Sequence, residues 1–197
     1  MLQLLSVRTL GLVATAAVVI AAACGCVVKG ESVALEVGDR GEYPEGPYGL
    51  QQGAILEDLS FVTADGGALS FRDIQADPEN RLMIVLTSSG WCTACIEEQP
   101  ALEDLHQRFG SEGLFLLVTL FEDRNFVPAD AAFAENWIRK YGVNFAVVAD
   151  PDFQLSAYYD ERQTPMNMIV NLSSMEIEQI FTGSDPDALE AIINARL

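Results

Sequence analysis

The run Leu82-Met83-Ile84-Val85-Leu86-Thr87, followed by Ser88-Ser89-Gly90-Trp91-Cys92-Thr93-Ala94-Cys95, limits the folds open to this chain more than any other stretch. Leu82 to Leu86 are apolar without alternation, the pattern of a central strand covered on both faces. After a short polar turn, Ala101, Leu102, Leu105 and Phe109 recur at three- to four-residue spacing, which predicts a helix. Two cysteines therefore stand where a strand hands over to a helix. Thiols two residues apart on a first helical turn can close a small disulfide ring with little backbone movement. Cys92, nearest the helix N-terminus, meets unpaired N–H groups and the positive end of the helix dipole, and both favour its thiolate. Cys95, one turn deeper, is placed to attack a mixed disulfide formed on Cys92. Half a zinc site and an inert structural disulfide are the competing readings. Zinc takes four ligands, and the chain has four cysteines and one histidine, with Cys24 and Cys26 far away in sequence. The strand–cysteine pair–helix context favours redox chemistry.

The 197 residues allow one domain of ordinary size plus an appendage. A formal charge of −18 argues against a nucleic-acid partner, which needs clustered Lys and Arg. Residues 1–23 read as an export signal: Arg8 supplies the positive region, Leu10 to Ala23 the apolar run, and Ala21 to Ala23 the small residues before Cys24. An apolar run ending in small residues and a cysteine resembles the lipobox of bacterial lipoproteins. That makes Cys24 the candidate lipidation site, with Cys26 after Gly25 as the alternative. Simple secretion or a retained anchor are the other readings of the segment. Residues 24–50, rich in Gly, Glu and Pro, read as a flexible tether, although Tyr43 and Tyr48 could instead pack over the domain's edge.

Residues 51–197 read as one domain. Ile55 to Val62 and Ala68 to Phe71 flank the turn-prone Asp65-Gly66-Gly67, which predicts a hairpin, and Asp73 to Arg81 read as a loop. Gly110 and Gly113 mark the end of the cysteine-bearing helix, and Leu114 to Phe121 read as a second buried strand. Pro128 to Tyr141 suit a helix whose inner face is Ala132, Phe133, Trp137, Ile138 and Tyr141. A short strand at Phe145 to Ala149 and a turn or short helix at Phe153 to Tyr159 follow. Strands at Met166 to Leu172 and Glu176 to Phe181 come next, then a helix opened by Asp185-Pro186 with Leu189, Ile192 and Ile193 inward. Alternating strands and helices, then a hairpin and a terminal helix, predict an α/β domain with a central mixed β-sheet flanked by helices.

At Trp91-Cys92-Thr93-Ala94-Cys95, Glu98, Pro100 and Thr164-Pro165 the chain resembles the thioredoxin superfamily. More narrowly, over about residues 50–197, it resembles membrane-anchored, envelope-facing thiol–disulfide oxidoreductases of the TlpA/ResA, or redoxin, type. The resemblance implies a thioredoxin-like fold with an N-terminal hairpin and an inserted strand–helix unit. It implies that Cys92 attacks and Cys95 resolves, and that Pro165 is cis beside the disulfide. There the backbone at Thr164 pairs with a bound substrate chain. Trp91 matches an aromatic lid. Glu98 matches an acidic residue that tunes the thiols, although a first-turn carboxylate is also favoured by the helix dipole alone. Pro100 reads as a helix kink. The implied partners are disulfide-containing envelope proteins and an external thiol donor. No cofactor or metal is implied.

Three departures stand out. Thr93-Ala94 has neither the proline common in reducing thioredoxins nor the histidine of strong oxidants. Leu86 stands where many thioredoxins bury an aspartate, which leaves Glu98 or water to move protons. Ser88-Ser89-Gly90 replaces the usual aromatic segment before the tryptophan. A peroxide-reducing redoxin is a second reading, with Ser89 three residues before Cys92. Val85 occupies the place of the proline in that pattern, and Arg108 and Arg124 are arginine candidates by type only. A Cu(I) carrier using Cys92, Cys95 and Met166 is a third, since soft sulfur suits Cu(I). His106 falls off the apolar helix face and reads as a surface residue. Tyr158, Tyr159 and Met168 read as core or rim, and Asp150, Asp152 and Asp160 as turn residues without a calcium-loop spacing.

Overall fold

The structure, a computed structural model, describes residues 41–197. The expected signal segment 1–23, Cys24, Cys26 and the tether as far as residue 40 lie outside the described residues. The predicted hairpin is present: β1 (Ser60–Thr63) and β2 (Ala68–Ser70) pair antiparallel, with Val62 opposite Ala68. Phe71 does not extend β2. It opens α1 (Phe71–Ala76), in the stretch read as a loop from Asp73 onward. Ser70 and Asp73 form a reciprocal capping box, each satisfying an orphan donor at the helix start. With six residues, the helix is too short to display a period in the sequence.

The apolar run becomes β3 (Leu82–Ser89), buried along its whole length. The helix after it is broken in two, α2 (Thr93–Glu97) and α3 (Gln99–Phe109). Pro100 explains the break, because it has no N–H to offer the carbonyl of Ile96. β4 (Leu114–Glu122), α4 (Ala131–Tyr141) and β5 (Ala146–Ala149) follow, then 3₁₀ turns at Gln154–Tyr158 and Glu161–Gln163. β6 (Met166–Asn171), β7 (Glu176–Thr182) and α5 (Pro186–Arg196) complete the domain. Asp130 caps α4 by accepting the Phe133 N–H, and Asp185 caps α5 by accepting the Ala188 N–H. On α4 the inner face is Ala134 and Trp137, with Phe133, Ile138 and Tyr141 half-buried, while Ala132 is exposed.

The strands form one mixed sheet in the order β2-β1-β5-β4-β3-β6-β7. β3 runs parallel to β4 and antiparallel to β6, which puts it at the centre. Its side chains alternate between two cores, so both must be apolar. Leu82, Ile84 and Leu86 pack with Leu102, Leu105, Trp137, Leu189 and Ile193 on one face. Met83 and Val85 pack with Phe71, Ile74, Met168 and Leu155 on the other. This is the physical origin of the unbroken run.

Within residues 41–50, part of the stretch read as tether, Tyr43, Tyr48 and Gly49 contact the domain. Tyr43 is buried in the second core and its hydroxyl donates to the Leu56 carbonyl at 2.9 Å. Tyr48 bridges to Ile55, and the Gly49 N–H donates to the Ile55 carbonyl. Tyr43→Ala should therefore lower unfolding stability by about 3 kcal/mol, the range for losing a buried aromatic ring. Guanidinium denaturation measures it, and an unchanged midpoint would show that this segment adds nothing to the domain.

Candidate active site

Cys92 is the N-cap of α2, with extended backbone, and is disulfide-bonded to Cys95 across a Cα–Cα distance of 5.3 Å. Its sulfur accepts the Cys95 N–H at 3.1 Å. Because the helix breaks at Glu98, this single directed N–H is the nearest support for negative charge on Cys92. Cys92 is 5 % exposed and Cys95 0 %, so Cys92 is the residue of the pair that keeps contact with solvent. Thr93 and Ala94, between them, are exposed.

The approach to Cys92 is set by the end of β3. The β3–β4 register shifts between Ser88 and Ser89, and the Gly90 N–H donates to the Glu122 carbonyl at 2.8 Å. A Cβ on Gly90 would lie 2.5 Å from the Arg124 nitrogen and 2.7 Å from the Asp123 carbonyl carbon. Trp91 then turns outward: its Nε1–H donates to Glu122 Oε2 at 2.8 Å, and its ring stacks on Phe126 with centroids 5.6 Å apart. On the β6 side the Thr164–Pro165 peptide is cis, and the Thr164 carbonyl oxygen lies 3.9 Å from Cys92 Sγ. Thr164 Oγ1 donates to the Thr87 carbonyl, while Thr87 Oγ1 accepts the Met166 N–H. The last residues of β3 therefore hold the Thr164–Pro165 segment beside the disulfide.

Glu98 lies three residues after Cys95 and is buried, 3 % exposed. Burial pushes its carboxyl up to about 7, opposed by a hydrogen bond from Ser184, and Oε2 has no partner among the described residues. Leu86 is buried, and Asn167 lies directly opposite it on β6. Asn167 Nδ2 donates to the Gly183 carbonyl and the Gly183 N–H to the Pro165 carbonyl, so the Gly183–Ser184 turn touches Glu98, Asn167 and Pro165 together. Gln99 donates from Nε2 to the Cys95 carbonyl at 2.7 Å and accepts the Trp137 Nε1–H at 2.9 Å. Sequence reasoning missed Gln99, Glu122, Phe126 and Asn167. Two signals pointed to Gln99: the buried Trp137 needs an acceptor, and Gln99 stands four residues after Cys95.

The remaining candidates lie as follows. Ser89 is fully buried with an unpartnered hydroxyl, and Val85 is in the second core. Arg108 pairs with Asp104 and Glu190 on the surface. Arg124 lines a shallow depression with Phe133, Asn136, Trp137, Lys140 and Tyr141. Met166 and Met168 are fully buried in the second core, with half-buried Tyr158 and Tyr159 against it. His106 is half-buried and edge-on to Phe145, at 6.2 Å, where a surface position was expected. Asp150 is buried and accepts the Gln154 and Leu155 N–H groups, which makes it a turn residue as read; burial raises its carboxyl above the ordinary range. Asp160 accepts from Arg162, which holds its carboxyl down to about 2.

Known proteins carry the same framework. ResA of Bacillus subtilis (strain 168), a thiol-disulfide oxidoreductase, is 28% identical over 100 residues, 50% of this chain and 51% of that protein. The chain thus spans about half the length of the curated relative it matches. A solved thiol:disulfide interchange protein of the thioredoxin family from Chlorobium tepidum TLS has a TM-score of 0.59 at 17% identity, covering 74% of this chain and 97% of the other. The pneumococcal exposed lipoprotein thioredoxin of Streptococcus pneumoniae strain TIGR4 gives 0.55 at 17%, covering 71% and 99%. These likenesses make the fold thioredoxin-like. The model of the AhpC/TSA family matches residues 53–179, which hold the hairpin, the disulfide and Thr164–Pro165, and on that match the chain belongs to the AhpC/TSA family.

Proposed function

We propose that the chain is a thiol–disulfide oxidoreductase that reduces disulfides in protein clients outside the cytoplasm. The observation that carries the reading is the Cys92–Cys95 disulfide, with the sulfur of its more accessible residue beside the Thr164 carbonyl. In the reduced form, the Cys92 thiolate attacks one sulfur of a client disulfide. An S–S bond forms between Cys92 and the client, and the second client sulfur leaves as a thiolate and takes up a proton. The Cys95 thiolate then attacks Cys92 Sγ, closing the intramolecular disulfide and expelling the first client sulfur. Two electrons pass from the dithiol to the client, and an external dithiol donor restores Cys92 and Cys95. Trp91 and Thr164–Pro165 flank the bound client strand. Glu98, the buried carboxyl nearest in sequence to Cys95, accepts in its ionised form the proton that Cys95 must lose before it attacks. Attachment through a lipid on Cys24, or on Cys26, would hold the domain at the bacterial cell envelope. The likeness to an exposed lipoprotein thioredoxin supports that placement.

Cys95→Ser should trap a mixed disulfide between Cys92 and its client, seen as a reducible higher-mass band in the whole protein expressed in a bacterial envelope. Absence of any such adduct, or its persistence when Cys92 is replaced as well, would overturn the exchange reading.

The Glu98 carboxyl makes a separate prediction. Between its ordinary value of 4.5 and about 7, the folded chain keeps a proton that the unfolded chain has released. Stability therefore falls as pH rises through this window, by on the order of 3 kcal/mol in total. Glu98→Gln should flatten that slope in guanidinium denaturation of the oxidised protein. A slope equal to that of the parent would show that Glu98 titrates normally.

A further inference from the structure

The loop after β4 reads Asp123-Arg124-Asn125-Phe126-Val127-Pro128. It is closed on itself. Asp123 Oδ1 accepts the N–H groups of Asn125 at 2.7 Å and Val127 at 3.0 Å, and the Asp123 N–H donates to the Val127 carbonyl at 2.8 Å. Glu122 bridges to Pro128, and the Ala129 N–H donates to the Phe121 carbonyl. This closure holds Phe126 at φ 59°, a left-handed conformation that disfavours any residue with a Cβ.

Three non-glycine residues among those described adopt positive φ, and the other two are repaid by packing. Met175 is fully buried, and Phe153 stacks on Phe121 with centroids 4.2 Å apart. Phe126 is 66 % exposed and its neighbour Val127 54 %. The Phe126 ring stacks on Trp91, the residue next to Cys92. A strained backbone thus holds a large apolar ring in water, one aromatic ring away from the reactive sulfur. Nothing in the core requires this, which points to a role in contact with something outside the chain.

The charges around it narrow the partner. Glu122 accepts the Trp91 Nε1–H, and the loop's own N–H groups hold the Asp123 carboxyl below the ordinary carboxylate range, while Arg124 faces the depression beside Phe133 and Lys140. The whole chain carries −18. An acidic segment is repelled here. We propose that Phe126 and Val127, with Trp91, form a docking ledge for an aromatic or long aliphatic side chain next to the disulfide cysteine of a non-acidic client segment. The ledge rests on the exchange reading and adds a preference among clients.

The test uses the full chain in its reduced form and three synthetic peptides. Each peptide is closed by one intramolecular disulfide, and they differ only in the residue beside one cysteine: Phe, Ser or Glu. Hydroxyethyl disulfide, which has no side chain to dock, is the fourth oxidant. Rates of Cys92–Cys95 oxidation should be about threefold to tenfold higher for the Phe peptide than for the Ser peptide, the range expected of one aromatic contact, with the Glu peptide slowest. In Phe126→Gly the Phe-to-Ser ratio should fall to within about twofold. Glycine accepts the left-handed backbone, so the melting temperature should not drop. Equal Phe and Ser rates in the parent, or an unchanged ratio in Phe126→Gly, would overturn the ledge while leaving exchange intact. A parent that oxidises with none of the four disulfides would overturn exchange itself, and the ledge with it.

Discussion

The arrangement of the redox pair depends on the close approach of two backbones at Gly90. The end of β3 runs so near Asp123 and Arg124 that a methyl group there would overlap main-chain atoms, which cannot swing away as a side chain can. With that approach secured, the chain leaves the sheet at a bulge, Trp91 turns toward Glu122, and Cys92 arrives at the start of α2 facing Thr164. A larger residue at Gly90 would push the strand end and the 122–124 loop apart. It would alter the sulfur, its aromatic neighbour and the Phe126 loop together, because all of them hang from that one contact.

Behind the sulfurs, the fold sets polar groups into an apolar layer and accounts for most of them. Gln99 links the Cys95 carbonyl to the Trp137 indole, which ties Cys95 to α4 across the core. Among the described residues Ser88, Ser89 and Asn167 keep unpartnered buried oxygens, and so does Glu98. It sits one turn after Cys95 with an oxygen that has no partner among the described residues, and its burial favours the neutral carboxylic acid. The Gly183–Ser184 turn reaches both this carboxyl and the carbonyl of Pro165, so the acid and the Thr164–Pro165 segment rest on the same short piece of backbone.

Much of this was legible in the sequence. The β3 run, the cysteine pair, the hairpin around Asp65-Gly66-Gly67 and the cap at Asp185 rest on local rules: burial on both faces, turn chemistry and orphan helix donors. Pro165 and Thr164 came from resemblance, and the structure brings them to Cys92 across a long stretch of chain. What stayed hidden depends on contacts between distant segments. Phe126 looks like an ordinary loop residue until Trp91 is seen against it. Asn167 looks like a polar interruption of β6 until it is found opposite Leu86. α1 was missed for a different reason, being shorter than two turns and signalled by its capping box alone.

Tyr43 fixes where the domain begins in a mechanical sense. Its ring is clamped in the core and its hydroxyl is bound to Leu56, so the folded body of the domain reaches back to this residue and does not start near position 50. A truncation that removes Tyr43 would therefore leave a ring-sized gap in the second core, although it falls within the stretch read as tether.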